Sequence, residues 1–475
     1  METPARVATL RTLTPSYPDS TSSAATVSSS CPEGLLTNGF CHFSHQPSVS
    51  NQPSVLNEPT LSNTFVWYGQ AMTLPEPPSR HLSLDVLRGT AILGTLGTNI
   101  WIFTNPEGLV GYLSQSTAAS TPRAWGVLEL VLQQLTQGKF LGLLTLMFGI
   151  GLEIQRRSAV RRGRPWPGHY PWRALLLFLD GVLHYLLVVE FDVLMGYAVT
   201  GVLVAYLLAT SERAQRRWLI GAASCHALVL MLVTVLLLVY DSPSTAGVAL
   251  SPNPYADGTW WELVKFRLDH AALFRLEPVF ILALSTAMFL FGAQLVRSGV
   301  LDPEGGGLRR RLIRLGAMAL VLDMVIGLAG GAAGVVFARY GTAPVVAAGL
   351  LAAVVEALEH RPLRPTTPSR PLVWLSAVGR MALSGYVLQN VLASTICYGW
   401  GLGVAARMSD GVRVPGTIAI YVVVAATVVL CSHLWLKHFP RGPVELAWAW
   451  AYRQIERRFP EARPAAQPQD ILSRG

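Results

Sequence analysis

The sequence predicts an all-α polytopic membrane protein of about ten transmembrane helices, with both termini cytoplasmic. Three observations predict it. Only 14% of the 475 residues are Asp, Glu, Lys or Arg, against about 25% in a soluble domain. Mean hydropathy is +0.40, with 51% hydrophobic residues. From residue 84 onward, apolar runs near the length of about 20 residues that a spanning helix needs alternate with Arg-bearing segments. This composition excludes a chain disordered throughout and argues against a soluble multidomain enzyme.

Taken in order, residues 1–80 are rich in Ser, Thr, Pro and Asn and hold no apolar core of signal-peptide length. Such a segment buries too little to offset its ordering entropy, so a disordered extension is expected. Met72 offers an alternative start of translation, which native mass spectrometry finding residues 1–71 would exclude. A transmembrane domain is expected over 81–455, with spans at 84–104, 138–155, 172–190, 192–210, 217–240, 276–296, 312–338, 343–359, 373–403 and 416–436. The ninth is long enough to be kinked or broken. Stretches 124–137 and 259–272 have the character of interfacial helices, the second beginning at Trp260 and Trp261. Residues 456–475 are expected to be a flexible cytoplasmic tail.

The positive-inside rule tests this count. All but three of the 37 Lys and Arg residues are Arg. Loops after even-numbered spans, with the C-terminal tail, carry 24 of the 37; the opposite loops carry eight. That bias never breaks alternation, which places the even loops in the cytoplasm. It also accounts for the net charge of +9 without a nucleic-acid partner. Cys31, Cys41, Cys225, Cys397 and Cys431 are scattered, so no disulfide framework or metal site is implied.

Ionisable groups at helix-centre depth are functional hypotheses by default. Asp85, Arg88, Lys139, Asp180, His184, Asp323 and Arg380 are the candidates. Asp85 and Arg88 are spaced to pair, and Arg88 is placed to snorkel. Lys139 starts a span and Arg380 lies near the cytoplasmic face. Asp180 and His184 lie at i and i+4, with His184 roughly 18 Å into its span and near mid-bilayer. A carboxylate beside an imidazole fixes its tautomer, as a general base requires; a plain helix–helix hydrogen bond is the alternative. Asp323 lies among glycines, where close packing around a polar contact explains it as well as function does. Arg380, Ser384, Tyr386, Gln389 and Asn390 make a polar stretch that either lines a cavity or joins helices. No P-loop, GxSxG, HExxH or dinucleotide fingerprint occurs. No loop is long enough for a soluble catalytic domain, so any chemistry lies among the helices. No inverted repeat and no pair of interrupted spans is legible, which weighs against a transporter.

Three blocks carry a resemblance: LDVLRGTAILGTLGTNI (84–100), QGKFLGLLTLMFGIGLEIQRR (137–157) continuing to DGVLHYLLVVEFDVLMGYAVTG (180–201), and VGRMALSGYVLQNVLASTICYGWGLG (378–403) ending in HFPRGPVELAWAW (438–450). With YADGTWWELVKFR (255–267), they resemble the YeiB-like family of bacterial integral membrane proteins, over residues 82–455. That family looks related to membrane acyltransferases, including acyltransferase family three and heparan-α-glucosaminide N-acetyltransferase. The first of these carries Arg, ten residues, then His on its first helix. Here Arg88 is followed at that spacing by Asn99, and the stretch 100–111 holds no His. His184 stands at the family's GLLH-like position and Asp192 at its GDIL-like position.

The resemblance implies a membrane-embedded acyltransferase in the bacterial plasma membrane. It would move an acyl group from cytoplasmic acyl-CoA to an envelope or small-molecule acceptor. In that reading His184 is the base, Asp180 orients it and Asn99 donates to the oxyanion. Asp85, Arg88, Lys139, Asp192, Arg380 and Tyr386 bind substrate. The Arg156–Arg164 cluster meets the CoA phosphates, although topology alone also explains it. No bound cofactor is expected. A transporter or flippase, and a non-catalytic membrane partner of a biosynthetic complex, are the alternatives.

Overall fold

In the computed structural model, residues 82–114, 123–240, 250–359 and 369–459 are described. The expected N-terminal extension and Met72 lie outside them. Every regular element among the described residues is helical. In chain order these are α1 (Leu82–Phe103), α2 (Gly108–Ser114), α3 (Arg123–Thr136), α4 (Lys139–Arg161), α5 (Tyr170–Leu187), α6 (Leu194–Leu207) and α7 (Glu212–Val239). Then follow α8 (Trp260–Asp269), α9 (Ala271–Phe274), α10 (Leu276–Phe280), α11 (Leu282–Arg297), α12 (Gly306–Ala329) and α13 (Gly331–Phe337). A π-turn (Ala338–Thr342) leads to α14 (Ala343–Glu359), and α15 (Arg370–Arg380), α16 (Ala382–Cys397), α17 (Val404–Arg407), α18 (Asp410–Trp435) and α19 (Pro443–Arg458) complete the chain.

Several of these helices are apolar and long enough to cross a bilayer, which marks a multi-pass membrane protein. Among the described residues five helical stretches are long and apolar enough to cross, or up to seven if each of two bent pairs is one span. The bent pairs are α9–α10 with α11, at 42°, and α15 with α16, at 90°. The length of the ninth apolar run allowed for the second break, whereas nothing in the sequence pointed to the first. The seventh and eighth apolar runs also divide elsewhere than expected. The helix breaks at Gly330, followed by Gly331 at φ +55°, a backbone conformation that favours glycine. α6 has 14 residues, about 21 Å, against the roughly 30 Å of a hydrocarbon core. α19 was not foreseen, and its helix runs to Arg458, into the stretch expected to be tail; residues 460–475 lie outside the described ones.

Two features hold the bundle. α1 and α15 cross backbone to backbone: a Cβ on Gly379 would lie 1.8 Å from the Asp85 carbonyl oxygen. Only glycine permits that approach. Far from this crossing, Lys139 is 2% exposed and pairs with Asp323, itself fully buried on α12. Gln134 Nε2 donates to Asp323 Oδ1 at 2.6 Å, and Thr342 Oγ1 donates to Asp323 Oδ2 at 2.7 Å. The carboxylate therefore ties α3, α4, α12 and the π-turn together. Lys139, expected at an interface or at substrate, here pairs with Asp323 in the protein interior. Its α-carbon starts α4, and its side chain turns inward because Asp323 waits there.

Removing one charge of a buried pair leaves the other unpaired. Lys139→Met should lower unfolding stability in detergent by about 3–5 kcal/mol. Adding Asp323→Leu should recover a large part of that loss, and a double variant less stable than the single one contradicts the assignment.

Candidate functional site

α5 ends at Leu187, and residues 188–193 turn the chain into α6. Val189 and Glu190 in that turn are fully buried and Asp192 is 2% exposed. A helix end leaves its last carbonyls without intrahelical partners, and buried carbonyls need donors. A segment some 80 residues later supplies them. Arg267 Nη1 donates to Leu186 O at 3.0 Å and Nη2 to Val188 O at 2.8 Å. Trp260 Nε1 donates to Leu187 O at 2.8 Å. Arg275 donates to the carbonyls of Glu190 and Asp192, and its guanidinium lies 4.0 Å over the Tyr185 ring. Glu190 balances Arg267 and also accepts from Tyr255 Oη at 2.8 Å. α8, which carries Trp260 and Arg267, begins with a Thr259–Glu262 capping box.

The clamped turn sets the position of one imidazole. His184 lies in the last turn of α5, 3% exposed. Its Nδ1 is 3.0 Å from Asp192 Oδ1, and its Nε2 is 3.2 Å from Asn390 Nδ2 on α16. Asp192 Oδ2 accepts from the Met195 N–H at 3.1 Å, which holds the carboxylate against the start of α6. With Nδ1–H donated to Asp192, the lone pair is on Nε2, where the Asn390 amide donates to it. Tyr386 covers the ring at 4.9 Å between centroids. Gly181 makes the approach possible: a Cβ there would lie 2.9 Å from Asp192 Oδ2 and 2.7 Å from the Met195 nitrogen.

The expected Asp180–His184 pair is therefore corrected. Asp180 Oδ2 is buried without a hydrogen-bond partner among the described residues, and Asp192 holds the imidazole. Spacing of i and i+4 puts two side chains on one face but does not make them touch. His184 itself lies in the last turn of α5, three residues before the helix ends.

Behind Tyr386 a cavity of about 840 Å³ lies between α1, α4, α5, the start of α6, α15, α16 and α19. Five arginines line it, Arg88 on α1, Arg173 in the first turn of α5, Arg380 at the end of α15, Arg441 just before α19 and Arg453 on it; Tyr386, against the imidazole, and Val193, the neighbour of Asp192, line it as well. The intervening wall is mostly apolar and includes Leu144, Phe148, Leu177 and Leu194. Glu445 of α19 also lines it, and accepts from the backbone N–H of Leu383 at 2.9 Å and of Ser384 at 3.2 Å. Those donors are free because the 90° break after α15 starts a new helix at Ala382.

Of the residues expected at the site, Arg88, Arg380 and Tyr386 line this cavity, while His184 and Asp192 lie directly behind Tyr386. Asp85 pairs with Arg88 at 3.2 Å, as its spacing implied. Asn99 does not line the cavity, and its side chain makes no hydrogen bond among the described residues; Asn390 is the amide at the imidazole. Nor does the Arg156–Arg164 cluster line it: Arg156 and Arg157 pair instead with the fully buried Glu153. The reading missed Arg173, Arg441 and Arg453. It noted Asn390 only as part of a polar stretch, although its place four residues after Tyr386 on one helix face was legible.

The Asp192 contact yields a stability test. Gly181→Ala should destabilise the protein by about 1–3 kcal/mol through overpacking against the turn, whereas Asp180→Asn should change it little. Thermal unfolding of the two variants in detergent decides, and equal melting of Gly181→Ala and wild type contradicts the packing.

Residues 295–454 match the family described as "Protein of unknown function (DUF418)". That region contains Arg380, Tyr386, Asn390 and Glu445, and leaves out His184 and Asp192. The chain is 29% identical over 404 residues to "Uncharacterized protein YeiB" of Escherichia coli (strain K12), spanning 80% of this chain and 97% of that protein. It is 28% identical over 399 residues to "Uncharacterized protein YxaH" of Bacillus subtilis (strain 168), spanning 77% and 92%. No solved structure matches. The two relatives and the matched region support a YeiB-like family.

Proposed function

We propose that this protein is a membrane-embedded acyltransferase that moves an acyl group from cytoplasmic acyl-CoA to an envelope or small-molecule acceptor. One observation carries the reading: His184, with Asp192 on Nδ1 and Asn390 on Nε2, lies against Tyr386, which lines a cavity that also bears five arginines. Arginine suits phosphate recognition, and the apolar wall suits an acyl chain. The sequence resemblance points the same way. We further infer ten crossings with both termini in the cytoplasm of a bacterial plasma membrane, from the alternating arginine bias. The arginines of the cavity then face the cytoplasm, and the bilayer is the protein's constant partner.

The chemistry follows from the tautomer. His184 Nε2 exchanges the Asn390 amide for the acceptor's hydroxyl or amine and takes its proton. The acceptor atom attacks the thioester carbonyl, a carbon–oxygen or carbon–nitrogen bond forms, and the carbon–sulfur bond breaks. The imidazolium returns its proton to the leaving thiolate. Asp192 stabilises the imidazolium, and the released Asn390 amide donates to the developing oxyanion. Asn390 takes the role first expected of Asn99, and Asp192 that of Asp180. Opening of the Tyr386 side chain admits the reactants.

General-base catalysis contributes typically 10²–10⁴-fold. Lipids and metabolites of a deletion strain carrying wild-type, His184→Ala or Asp192→Asn protein should therefore differ by at least about 100-fold in one acylated product. Full product with His184→Ala, at equal protein level, contradicts the mechanism.

A transporter is the second reading, favoured by the two helix pairs broken at Ile281 and Met381. Interrupted spans frame the substrate sites of many transporters. Gradient-dependent uptake into proteoliposomes without any acyl donor would favour it.

A further inference from the structure

α4 contains a glycine that packing does not explain. At Gly149 a Cβ would lie 2.1 Å from the Phe289 carbonyl oxygen, so a close helix crossing demands glycine there. At Gly151 an added Cβ would meet nothing within 4 Å. A helix-interior glycine is less favourable than alanine, yet here no neighbour occupies the space it leaves. That space is the cavity, whose wall Gly151 forms.

The position of Gly151 along the wall is informative. Leu144, Phe148, Gly151 and Gln155 all line the cavity from α4, at i, i+4, i+7 and i+11 on one helix face. At 1.5 Å per residue this stripe runs roughly 16 Å, with Gly151 about 6 Å from Gln155 and about 10 Å from Leu144. Gln155 marks the charged end, since its Oε1 accepts from Arg173 Nη1 at 2.8 Å. Phe148 marks the apolar end, its ring 4.7 Å from that of Tyr197. Gly151 is the neck where a charged mouth passes into an apolar depth.

We propose that the cavity binds an amphiphile, with an anionic head group at the arginines and an apolar chain running past Gly151 toward Phe148 and Leu144. Gly151 is the specificity-determining position, because any side chain there projects across the path of the chain. The acyl-donor function above bears only on the source of this amphiphile. A fatty acyl-CoA and an anionic phospholipid share the required chemistry.

The test uses the full chain purified in detergent, with CoA, octanoyl-CoA and dioctanoyl phosphatidic acid as probes. Wild type should bind octanoyl-CoA at least about tenfold more tightly than CoA, because the chain buries apolar surface. Gly151→Leu should abolish that advantage while CoA affinity changes less than about twofold. Gly151→Ala should lose a smaller part of it and melt higher than wild type, which establishes that a side chain at this position is compatible with folding. Unchanged octanoyl-CoA binding by Gly151→Leu overturns the proposal, and so does an equal loss of CoA. If wild type binds only the phosphatidic acid, with the same Gly151 dependence, the amphiphile site stands and the acyl-CoA reading falls. Binding of neither amphiphile to wild type overturns the proposal.

Discussion

The structure turns on a helix that ends where water is scarce. α5 stops at Leu187, and the turn that follows it buries Val189, Glu190 and Asp192. In a bilayer each unsatisfied backbone group costs several kcal/mol, so the chain must supply donors from elsewhere. Arg267, Arg275 and Trp260 do so from one segment. Glu190 in the turn itself balances Arg267, so the arginine is buried with a partner. The result is irregular backbone held as firmly as a helix, inside a multi-pass protein.

That rigidity is what gives His184 a defined environment. Asp192 is fixed twice, by the Met195 N–H and by the imidazole, and Asn390 approaches from a helix that begins at a sharp break. Glu445 answers the donors exposed at that break, and in doing so brings α19 against the cavity. The same two discontinuities, the α5–α6 turn and the α15–α16 bend, thus both shape the cavity. The pair of Lys139 and Asp323 does not line the cavity but ties α4, one of its walls, to α12. Buried charge here serves two distinct purposes, and burial alone does not tell them apart.

Much of this was legible beforehand. Apolar runs located most of the long helices, though several ends fall about six residues from those expected and α19 was not among them, because lipid imposes length and composition only on a spanning segment. His184, Arg88 and Arg380 stand out as ionisable groups that hydrocarbon should exclude, Tyr386 belongs to a polar stretch and Asp192 to the family resemblance, and the five gather around the cavity and its neighbour His184. The partner of His184 was not legible. Asp180 shares its helix face, but Asp192 reaches it only because the intervening turn folds back, and turn geometry leaves no periodic trace. Arg267 and Arg275 read as ordinary loop charge, since their partners are backbone carbonyls, which every residue has. Lys139 and Asp323 are separated by 184 positions, so no local pattern could pair them. The break at Ile281 was hidden because both halves of the span are apolar.

The central claim is that the clamped turn fixes the protonation of His184. Nitrogen-15 magnetic resonance of the imidazole in lipid nanodiscs measures it directly, with His184→Gln assigning the signal. The account predicts a protonated Nδ1 and an unprotonated Nε2 in wild type, and loss of this single tautomer when Arg275→Gln loosens the turn. A protonated Nε2 with a bare Nδ1 in wild type, or a tautomer indifferent to Arg275, would contradict it.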